Sequence, residues 1–537
     1  MRRINFNSIC ISSTLFFILA NSLIADEKAI PPFQFQSGDH VSIIGNTLAD
    51  RMQHDGWLET YLVARPQVKD LSFRNLGFSG DELTIRLRSA NFGSPETWLA
   101  KHKTDVIFAF FGYNESFGDK EGLPKFKKDL SDFITTTLAK KYNDKSSPRL
   151  VLFSPIAYEK LSDPNLPDGK EINRRLEMYT QAMAEVCLLN NVRFVDLFNP
   201  SLTLYRSKKG PFTLNGIHLN ENGNREIARI IDGSLFGPSP NHDLSRLEKI
   251  QRAVKEKNFY WFQRYRTTDG YSVFGGRADL QFVRGQTNRE VAQREMQILD
   301  VMTANRDKKI WATIKGEDTS ANDSNTPPFI PVETNKPGPL PGGKHAFLDA
   351  EKAIEKMSVA PGMKVNLFAS EKDFPELVNP VQMTFDTKGR LWVAVWPTYP
   401  HWKPKEPMND KILVLEDQDG DGKADKCTVF ADGLNCPTGF ELNGKGVFVA
   451  QCPDLWYLED SDGDGKADIR RRVLHGLDSA DTHHASNSFT LDPGGALYFQ
   501  EGTFHHTQVE TPWGPSVRCA NAGVFRYEPR SQKFGVY

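Results

Sequence analysis

The sequence predicts two large units: an α/β domain in three layers, and an all-β domain with the repeat length of a β-propeller. Three observations support this division. Between about residues 38 and 235, short apolar runs alternate with helical patterns, which is typical of a parallel sheet with helices on both faces. Residues 317–345 are rich in Pro, Asn, Thr and Gly, as linkers are. After about residue 358 the pattern changes to short strands and tight turns.

Helical and strand periodicity locate the elements of the first unit. Helical periodicity predicts helices at residues 48–62, 125–142, 171–190 and 222–235. Short apolar runs predict strands at residues 40–44, 71–75, 105–111, 149–154 and 192–198. These elements define an α/β domain over residues 26–240.

A helical extension is expected at residues 241–316, with helices at 243–258 and 287–304. The segment between them, residues 258–266, is aromatic and rich in arginine. It is either a packing surface against the α/β domain or a lid with rings that stack on a sugar. We expect a linker at residues 317–349 and a propeller at residues 350–537.

The propeller prediction rests on a repeat. The acidic loop that starts at Asp417 recurs at Asp460, 43 residues later, and each copy follows an apolar strand. A period of about 40–45 residues is that of a propeller blade, so about 180 residues give about four blades. A propeller of this size would be incomplete and would leave an open sheet edge, so we expect the sequence to be part of a longer protein.

Composition excludes several classes of protein. The chain has 537 residues, and its 66 Lys+Arg balance 68 Asp+Glu to give a net charge of -2. We therefore expect no nucleic-acid partner, since no excess of positive charge is available to neutralise phosphates. With 39% hydrophobic and 25% charged residues, the chain is not collagen-like, coiled-coil, multi-span or wholly disordered.

The N-terminus has the pattern of a secretory signal peptide. Arg2 and Arg3 precede an apolar core at residues 9–20, and Ala25 offers a small residue for cleavage before Asp26. A membrane anchor is the alternative, but the core is shorter than the roughly 20 residues of a spanning helix. We expect residues 1–25 to be removed and the protein to be periplasmic or extracellular, with association with the cell envelope as one option.

Four short segments of the α/β domain carry the residues of a candidate active site. Three of them follow successive strands, and the fourth precedes the last helix; they contain Thr47, Ser79 with Gly80, Asn114, and Asn215 with His218. The carboxyl ends of parallel strands open into one crevice, so the first three should line one site that the fourth can reach. The order and spacing resemble the SGNH (GDSL-like) hydrolases over residues 38–235, which implies a flavodoxin-like fold.

The resemblance assigns roles to these residues. Gly80 and Asn114 match the two oxyanion donors, and His218 matches the general base. Thr47 stands where the nucleophilic Ser would be, and Asn46 where the preceding Asp would be. Asn215 replaces the acidic member of the triad, so it could orient the His218 ring but not stabilise its charge.

These residues allow three interpretations of the candidate active site. The resemblance implies an ester hydrolase or deacetylase acting on carbohydrate esters, with Thr47 as nucleophile in a degenerate triad. Alternatively, the fold binds carbohydrate or serves as a scaffold without chemistry. The nucleophile could also be another residue, with Ser79 as the candidate.

The repeated acidic loops have the spacing of a cation site. Alternate carboxylates turn their oxygens to one centre, and Ca²⁺ prefers oxygen ligands. The chain lacks the Glu that closes an EF-hand, so we expect structural Ca²⁺ of modest affinity, or a solvated turn without an ion. The expected ligands are Asp417, Asp419, Asp421, Asp425, Asp460, Asp462, Asp464 and Asp468.

Histidines cluster near the end of the chain. His483 and His484 follow Asp481, and His505 precedes His506. They could ligate a metal, act as a base, or make ordinary polar contacts.

The β-rich half also resembles a known family. Residues 379–393, the acidic loops, residues 481–484 and residues 521–529 resemble the propeller of the planctomycete and verrucomicrobial proteins classed as membrane-bound dehydrogenases. That propeller is similar to quinoprotein sugar dehydrogenases, which implies a quinone-dependent sugar dehydrogenase fragment as a further alternative. PQQ would then bind only a full-length propeller, with His484 as the nearest candidate for its base. The C-x-x-C-H haem motif of the family is not in this sequence.

Overall fold

The computed structural model describes residues 33–67, 69–207, 209–238, 240, 243–333 and 336–537. The predicted signal peptide lies outside these residues. No helix within them is both long enough and apolar enough to cross a membrane.

The first unit is built on a five-stranded parallel sheet, as predicted. The strands stand in the order β2-β1-β3-β4-β5. Side chains alternate between two apolar cores: Val106 and Phe108 face one layer of helices, while Ile107 and Ala109 face the other. The strands are β1 (His40–Gly45), β2 (Ser72–Asn75), β3 (Val106–Phe110), β4 (Arg149–Phe153) and β5 (Arg193–Val195).

Seven helices accompany the sheet. They are α1 (Thr47–Asp55), α2 (Trp57–Val63), α3 (Pro95–Lys101), α4 (Asp119–Leu138), α5 (Lys170–Leu189), α6 (Phe198–Arg206) and α7 (Glu221–Phe236). Helices α1, α2 and α7 contribute to one core, and α3, α4 and α5 to the other.

Two sequence predictions need correction here. The single helix predicted at residues 48–62 is two helices, because Gly56 adopts a left-handed conformation with φ of 69° and ends α1. The strand predicted at residues 192–198 is only three residues long, and the chain turns into α6 at Phe198.

The helical extension contains α8 (Leu244–Tyr265), α9 (Gly270–Val273) and α10 (Asn288–Ile314). The aromatic segment at residues 258–266 belongs almost entirely to α8, contrary to the prediction of a separate segment between helices. The rings of Trp261 and Tyr265 meet that of Trp98 at 6.3 and 5.0 Å. Their burial favours a packing surface against the α/β domain over a lid that stacks on a sugar. A short helix, α11 (Ala350–Glu355), follows the linker.

The second unit is rich in antiparallel strands. Three four-stranded sheets follow one another, in the orders β6-β7-β8-β9, β10-β11-β12-β13 and β14-β15-β18-β19. The first sheet contains β6 (Pro380–Phe385), β7 (Leu391–Val395), β8 (Asp410–Glu416) and β9 (Lys426–Leu434). The second contains β10 (Gly439–Asn443), β11 (Gly446–Gln451), β12 (Asp454–Glu459) and β13 (Ile469–His475). The third contains β14 (Asn487–Leu491), β15 (Leu497–Glu501), β18 (Gly523–Glu528) and β19 (Lys533–Val536).

A two-stranded ribbon interrupts the third sheet. Its strands, β16 (His506–Thr511) and β17 (Gly514–Ala520), pair only with each other in the sheet assignment. The sequence predicted about four blades, whereas the described residues hold three four-stranded sheets and this ribbon. Strands β18 and β19 complete the third sheet, and the ribbon contacts the α/β domain.

Candidate active site

The site begins where β1 ends. Gly45 has a φ of +133°, and a Cβ there would lie 2.1 Å from the carbonyl oxygen of Phe110, so only glycine fits. Asn46 then caps α1 by accepting a hydrogen bond from the Leu48 amide at 3.1 Å. This turn places Thr47 at the first position of the helix, at the carboxyl end of the sheet.

The Thr47 hydroxyl is engaged with the neighbouring loop. Its Oγ1 lies 2.8 Å from Ser79 Oγ and accepts a hydrogen bond from the Gly80 amide at 3.3 Å. Ser79 Oγ donates its proton to the carbonyl of His475 at 2.9 Å. Since a hydroxyl has one proton, Thr47 must be the donor to Ser79. Thr47 therefore does not direct its proton to His218.

Of the two predicted oxyanion donors, Asn114 binds a carboxylate together with the Thr47 amide, whereas the Gly80 amide donates to Thr47 Oγ1. Asn114 Nδ2 donates to Oε1 of Glu510 at 2.7 Å, and the Thr47 amide donates to the same atom at 3.2 Å. Glu510 lies on the ribbon of the second unit. Burial raises the pKa of Glu510, and hydrogen bonds from Asn114 and the Thr47 and Gly80 amides offset part of the rise.

Asn215 and His218 also form a hydrogen bond, but Asn215 is its donor, whereas the acid of a catalytic triad would be its acceptor. Asn215 Oδ1 accepts a hydrogen bond from the His218 backbone amide at 3.1 Å, which fixes the orientation of the side-chain amide. Asn215 Nδ2 consequently faces His218 Nδ1 at 3.1 Å and donates to it. The imidazole proton is then on Nε2. In this tautomer Nε2 cannot accept a proton from a nucleophile.

Burial adds to this effect. It lowers the pKa of His218 well below the usual value, and the nearby charges of Arg51 and His475 act in the same direction. His218 Nε2 has no hydrogen-bond partner among the described residues. The residue is therefore a neutral, buried donor in this arrangement.

Glu115 ties the two oxyanion loops together. Its carboxylate accepts hydrogen bonds from the Leu83 amide at 3.0 Å and the Gly112 amide at 2.9 Å. Burial, with a smaller contribution from Glu82, raises the pKa of Glu115 to about 7. Glu115 therefore holds in place the loop that carries Asn114. Within the described residues it makes no hydrogen bond to Glu510.

A buried charge cluster joins the two units beside the site. His475 Nε2 lies 2.9 Å from Asp50 Oδ2, and His475 Nδ1 lies 2.5 Å from Asp454 Oδ1. Asp50 also pairs with Arg266 and accepts the Ser79 amide at 2.8 Å. Burial opposes ionisation of Asp50, but Arg266 and His475 outweigh it and hold its pKa below the usual range.

Sequence reasoning missed Glu510, His475 and Asp454. No local pattern distinguishes them, because their partners lie up to several hundred residues away. Asp50 offered a weak signal, since an acid three residues after Thr47 shares its side of the helix.

The acidic loops bring three of their four predicted ligands together in each repeat. Carboxylate oxygens lie within 4.8 Å of one another in the groups Asp417, Asp419, Asp425 and Asp460, Asp462, Asp464. Asp421 and Asp468 are not in these groups; the Asp421 carboxylate accepts the Lys423 amide, and that of Asp468 binds Ser461. The loops join β8 to β9 and β12 to β13.

His483, His484 and His505 each face a different polar group. His484 has a side chain that is 55% exposed, and its Nδ1 lies 3.1 Å from Asp481. His483 meets Tyr399 Oη at 2.7 Å, whereas the buried His505 lies 3.8 Å from Glu501. Within the described part of the chain they form no group with metal-ligand spacing.

Comparison with known proteins identifies the first unit. Residues 44–226 match the model of the GDSL-like Lipase/Acylhydrolase family. This GDSL-like domain covers about a third of the chain, and the match supports an ester hydrolase. Residues 349–537 match a domain of unknown function, DUF7133. The resemblance to GDSL-like hydrolases is confirmed, whereas the propeller and dehydrogenase assignment of the second unit stays a prediction. No curated protein matches the chain.

Several solved structures are similar to the part that contains the GDSL-like domain. One is BT4096, described as a gut microbial diltiazem-metabolizing enzyme, at 16% identity and a TM-score of 0.30 over 38% of this chain and 48% of that one. A catalytic mutant of Axe2, an acetylxylan esterase from Geobacillus stearothermophilus, has 15% identity and a TM-score of 0.30 over 39% of this chain and 100% of its own. The acetyl xylan esterase AlAXEase has 19% identity and a TM-score of 0.27, over 36% and 97%. This chain thus spans about half the length of the first and almost all of the others.

Proposed function

We propose that the GDSL-like domain hydrolyses esters of carbohydrates, with Thr47 as nucleophile. The observation that supports this proposal is a pair of hydrogen-bond donors beside Thr47 that point at one oxygen. Amide donors of Thr47 and Asn114 converge on one oxygen at 3.2 and 2.7 Å, close to the distances that stabilise a tetrahedral intermediate. That the ester belongs to a carbohydrate is inferred from the resemblance to GDSL-like hydrolases.

The chemistry would be acyl transfer in two steps. Thr47 Oγ1 adds to the acyl carbon and loses its proton, and the alcohol leaves with a proton, so that an acyl-Thr47 ester remains. Water then hydrolyses this ester to the free acid and restores Thr47. His218 can take the first proton at Nε2 only when its own proton is on Nδ1, which requires an acceptor at position 215.

The test is hydrolysis of aryl acetates and acetylated sugars by the full chain. Thr47→Ala and His218→Ala should each abolish turnover if the substituted triad works. Loss with His218→Ala alone would move the nucleophile, with Ser79 as the next candidate. Because Glu510 occupies the oxyanion site of the unmodified chain, the three proteins are also measured with Glu510→Ala added. Equal turnover in all three on that background would contradict the proposal.

A second candidate function is that of a binding or scaffold module without chemistry. Two observations favour it: the tautomer of His218 set by Asn215, and the Glu510 carboxylate in the oxyanion site. Absence of turnover together with binding of a carbohydrate by the full chain would support this alternative.

The remaining features of the chain are proposals of their own. We propose export directed by residues 1–25, and a propeller-like arrangement of the three sheets with structural Ca²⁺ on the two acidic loops. Oxygen-only donors and glycines at positive φ, such as Gly420 and Gly463, fit Ca²⁺. For PQQ, the half-exposed His484 alone does not make a cofactor site, so no dehydrogenase step is derived.

A further inference from the structure

The ribbon formed by β16 and β17 enters the cleft of the GDSL-like domain. Tyr113 Oη donates to the Thr511 carbonyl at 2.8 Å, and the Ser516 amide donates to Asn114 Oδ1 at 3.1 Å. On the other side of the cleft, Arg518 donates to the Gly80 carbonyl at 2.6 Å. The ribbon therefore contacts both oxyanion loops through directional hydrogen bonds.

The fit between ribbon and cleft leaves no room for a substrate at Thr47. A Cβ placed on Gly80 would lie 2.2 Å from Ser516 Oγ. Thr47, Asn114 and Glu510 are 1%, 3% and 4% exposed. An ester cannot reach Thr47 while the ribbon is in place.

Glu510 is the part of the ribbon that fills the reactive position. Its Oε1 accepts hydrogen bonds from the Asn114 side chain and the Thr47 amide, the groups that would otherwise bind the oxygen of a tetrahedral intermediate. Within the described residues Glu510 makes no ion pair, so its charge is held by these neutral dipoles. A carboxylate without a cationic partner is costly to bury. Here the hydrogen bonds from the oxyanion site offset part of that desolvation cost.

We propose that Glu510 is an internal ligand of the oxyanion site, and that the ribbon closes the GDSL-like domain until it withdraws. The carboxylate imitates the acid product of ester hydrolysis. The closure itself follows from the contacts above, while its control of turnover rests on the proposed hydrolase function. A small free carboxylate is then the ligand that the emptied site would take.

The first experiment removes the internal carboxylate in the full chain and supplies a free one. In Glu510→Ala, about 100 mM acetate should raise the melting temperature by about 2 °C or more relative to chloride of equal ionic strength. The unmodified chain and Glu510→Gln, which keeps an acceptor oxygen in place, should show no such shift. Adding Asn114→Ala to Glu510→Ala should remove it.

A matched control distinguishes the effect of weakening the contact between ribbon and domain from the effect of emptying the oxyanion site. Glu82 pairs with Arg518 of the same ribbon at 2.6 Å and lies outside the oxyanion site. Glu82→Ala should therefore weaken the contact without creating an acetate site. If Glu510→Ala does not fold, Glu510→Val, which also lacks an acceptor oxygen and suits a strand position, is measured in the same way.

Turnover then decides the hydrolase function separately. If Glu510→Ala binds acetate and hydrolyses 4-nitrophenyl acetate at least about tenfold faster than the unmodified chain, both proposals are supported. If acetate binds but turnover equals that of Glu510→Ala/Thr47→Ala, the internal ligand stands and the hydrolase function fails. A folded Glu510→Ala or Glu510→Val protein without a specific acetate shift would overturn the role of Glu510.

Discussion

Asn215 donates a hydrogen bond to Nδ1 of His218 over 3.1 Å, whereas the acid of a working triad accepts one from that atom. The amide cannot reverse freely, because its oxygen already accepts the His218 backbone N–H at 3.1 Å. One side-chain atom thus decides whether His218 can act as a base.

Replacing Asn215 by Asp should therefore raise esterase activity. The carboxylate would accept from Nδ1, shift the proton away from Nε2 and raise the pKa of His218. We expect an increase of roughly 10²–10⁴-fold in kcat, by analogy with the loss when a triad Asp becomes Asn. The measurement is hydrolysis of 4-nitrophenyl acetate by Glu510→Ala/Asn215→Asp beside Glu510→Ala.

Asn220→Asp provides the control for this change. It adds the same charge at the N-cap of α7, where Asn220 accepts the Gly223 amide at 2.9 Å, without a hydrogen bond to His218. An equal gain in both variants would show that charge alone, and not the tautomer, is responsible.

The raised pKa of Glu115 predicts a pH-dependent stability. A carboxyl group whose pKa is about 7 in the folded protein and near its usual value in the unfolded chain binds its proton more tightly when folded. Its contribution is full below about pH 4.5 and is lost as the pH rises through 7, by about 3 kcal/mol in total. Unfolding midpoints of the unmodified chain, relative to Glu115→Gln, should fall across this range.

Glu115→Gln leaves one backbone amide without a good acceptor, which is a cost independent of pH. Glu121→Gln, at a side chain that is 70% exposed, should track the unmodified chain at every pH. A Glu115→Gln protein whose midpoint difference from the unmodified chain stayed constant from pH 4.5 to 8 would refute the shift.

Removal of His475 should destabilise the contact between the two units. His475→Ala would remove the imidazole that lies between the carboxylates of Asp50 and Asp454, which keep Arg266 and Arg472 as partners. Loss of a hydrogen bond to a charged group costs about 1.5–3 kcal/mol, which denaturant unfolding can measure. The exposed His345 offers a control, because substitutions at such positions change stability by about 0.5 kcal/mol or less; equal effects at both positions would be inconsistent with this role.

Chelation should lower the melting temperature if the acidic loops hold Ca²⁺. Saturation at about 100 times Kd stabilises a protein by about 2.7 kcal/mol, and EGTA would withdraw that contribution. Asp417→Asn/Asp460→Asn should abolish the response. Asp432→Asn, at a side chain that is 71% exposed, should keep it. Identical melting curves with EGTA and with Ca²⁺ would mean that the loops are solvated turns.

Local patterns predicted the parallel sheet and the positions of the acidic loops, because each depends on a few consecutive residues. The length of α8 was underestimated, since its buried polar residues hide the helical pattern. Lys257, for example, is fully buried and pairs with Glu59 at 2.6 Å. Glu510 could not have been assigned to the site, because its partner Asn114 lies 396 residues earlier in the chain.

That separation has a consequence for synthesis. An N-terminal domain can fold before the rest of the chain has been made. At about 5–20 residues per second, the ribosome reaches Glu510 roughly 20–80 s after Asn114. The nascent GDSL-like domain thus has an interval in which its oxyanion site is open to the surroundings, and synthesis of the β16–β17 ribbon ends it.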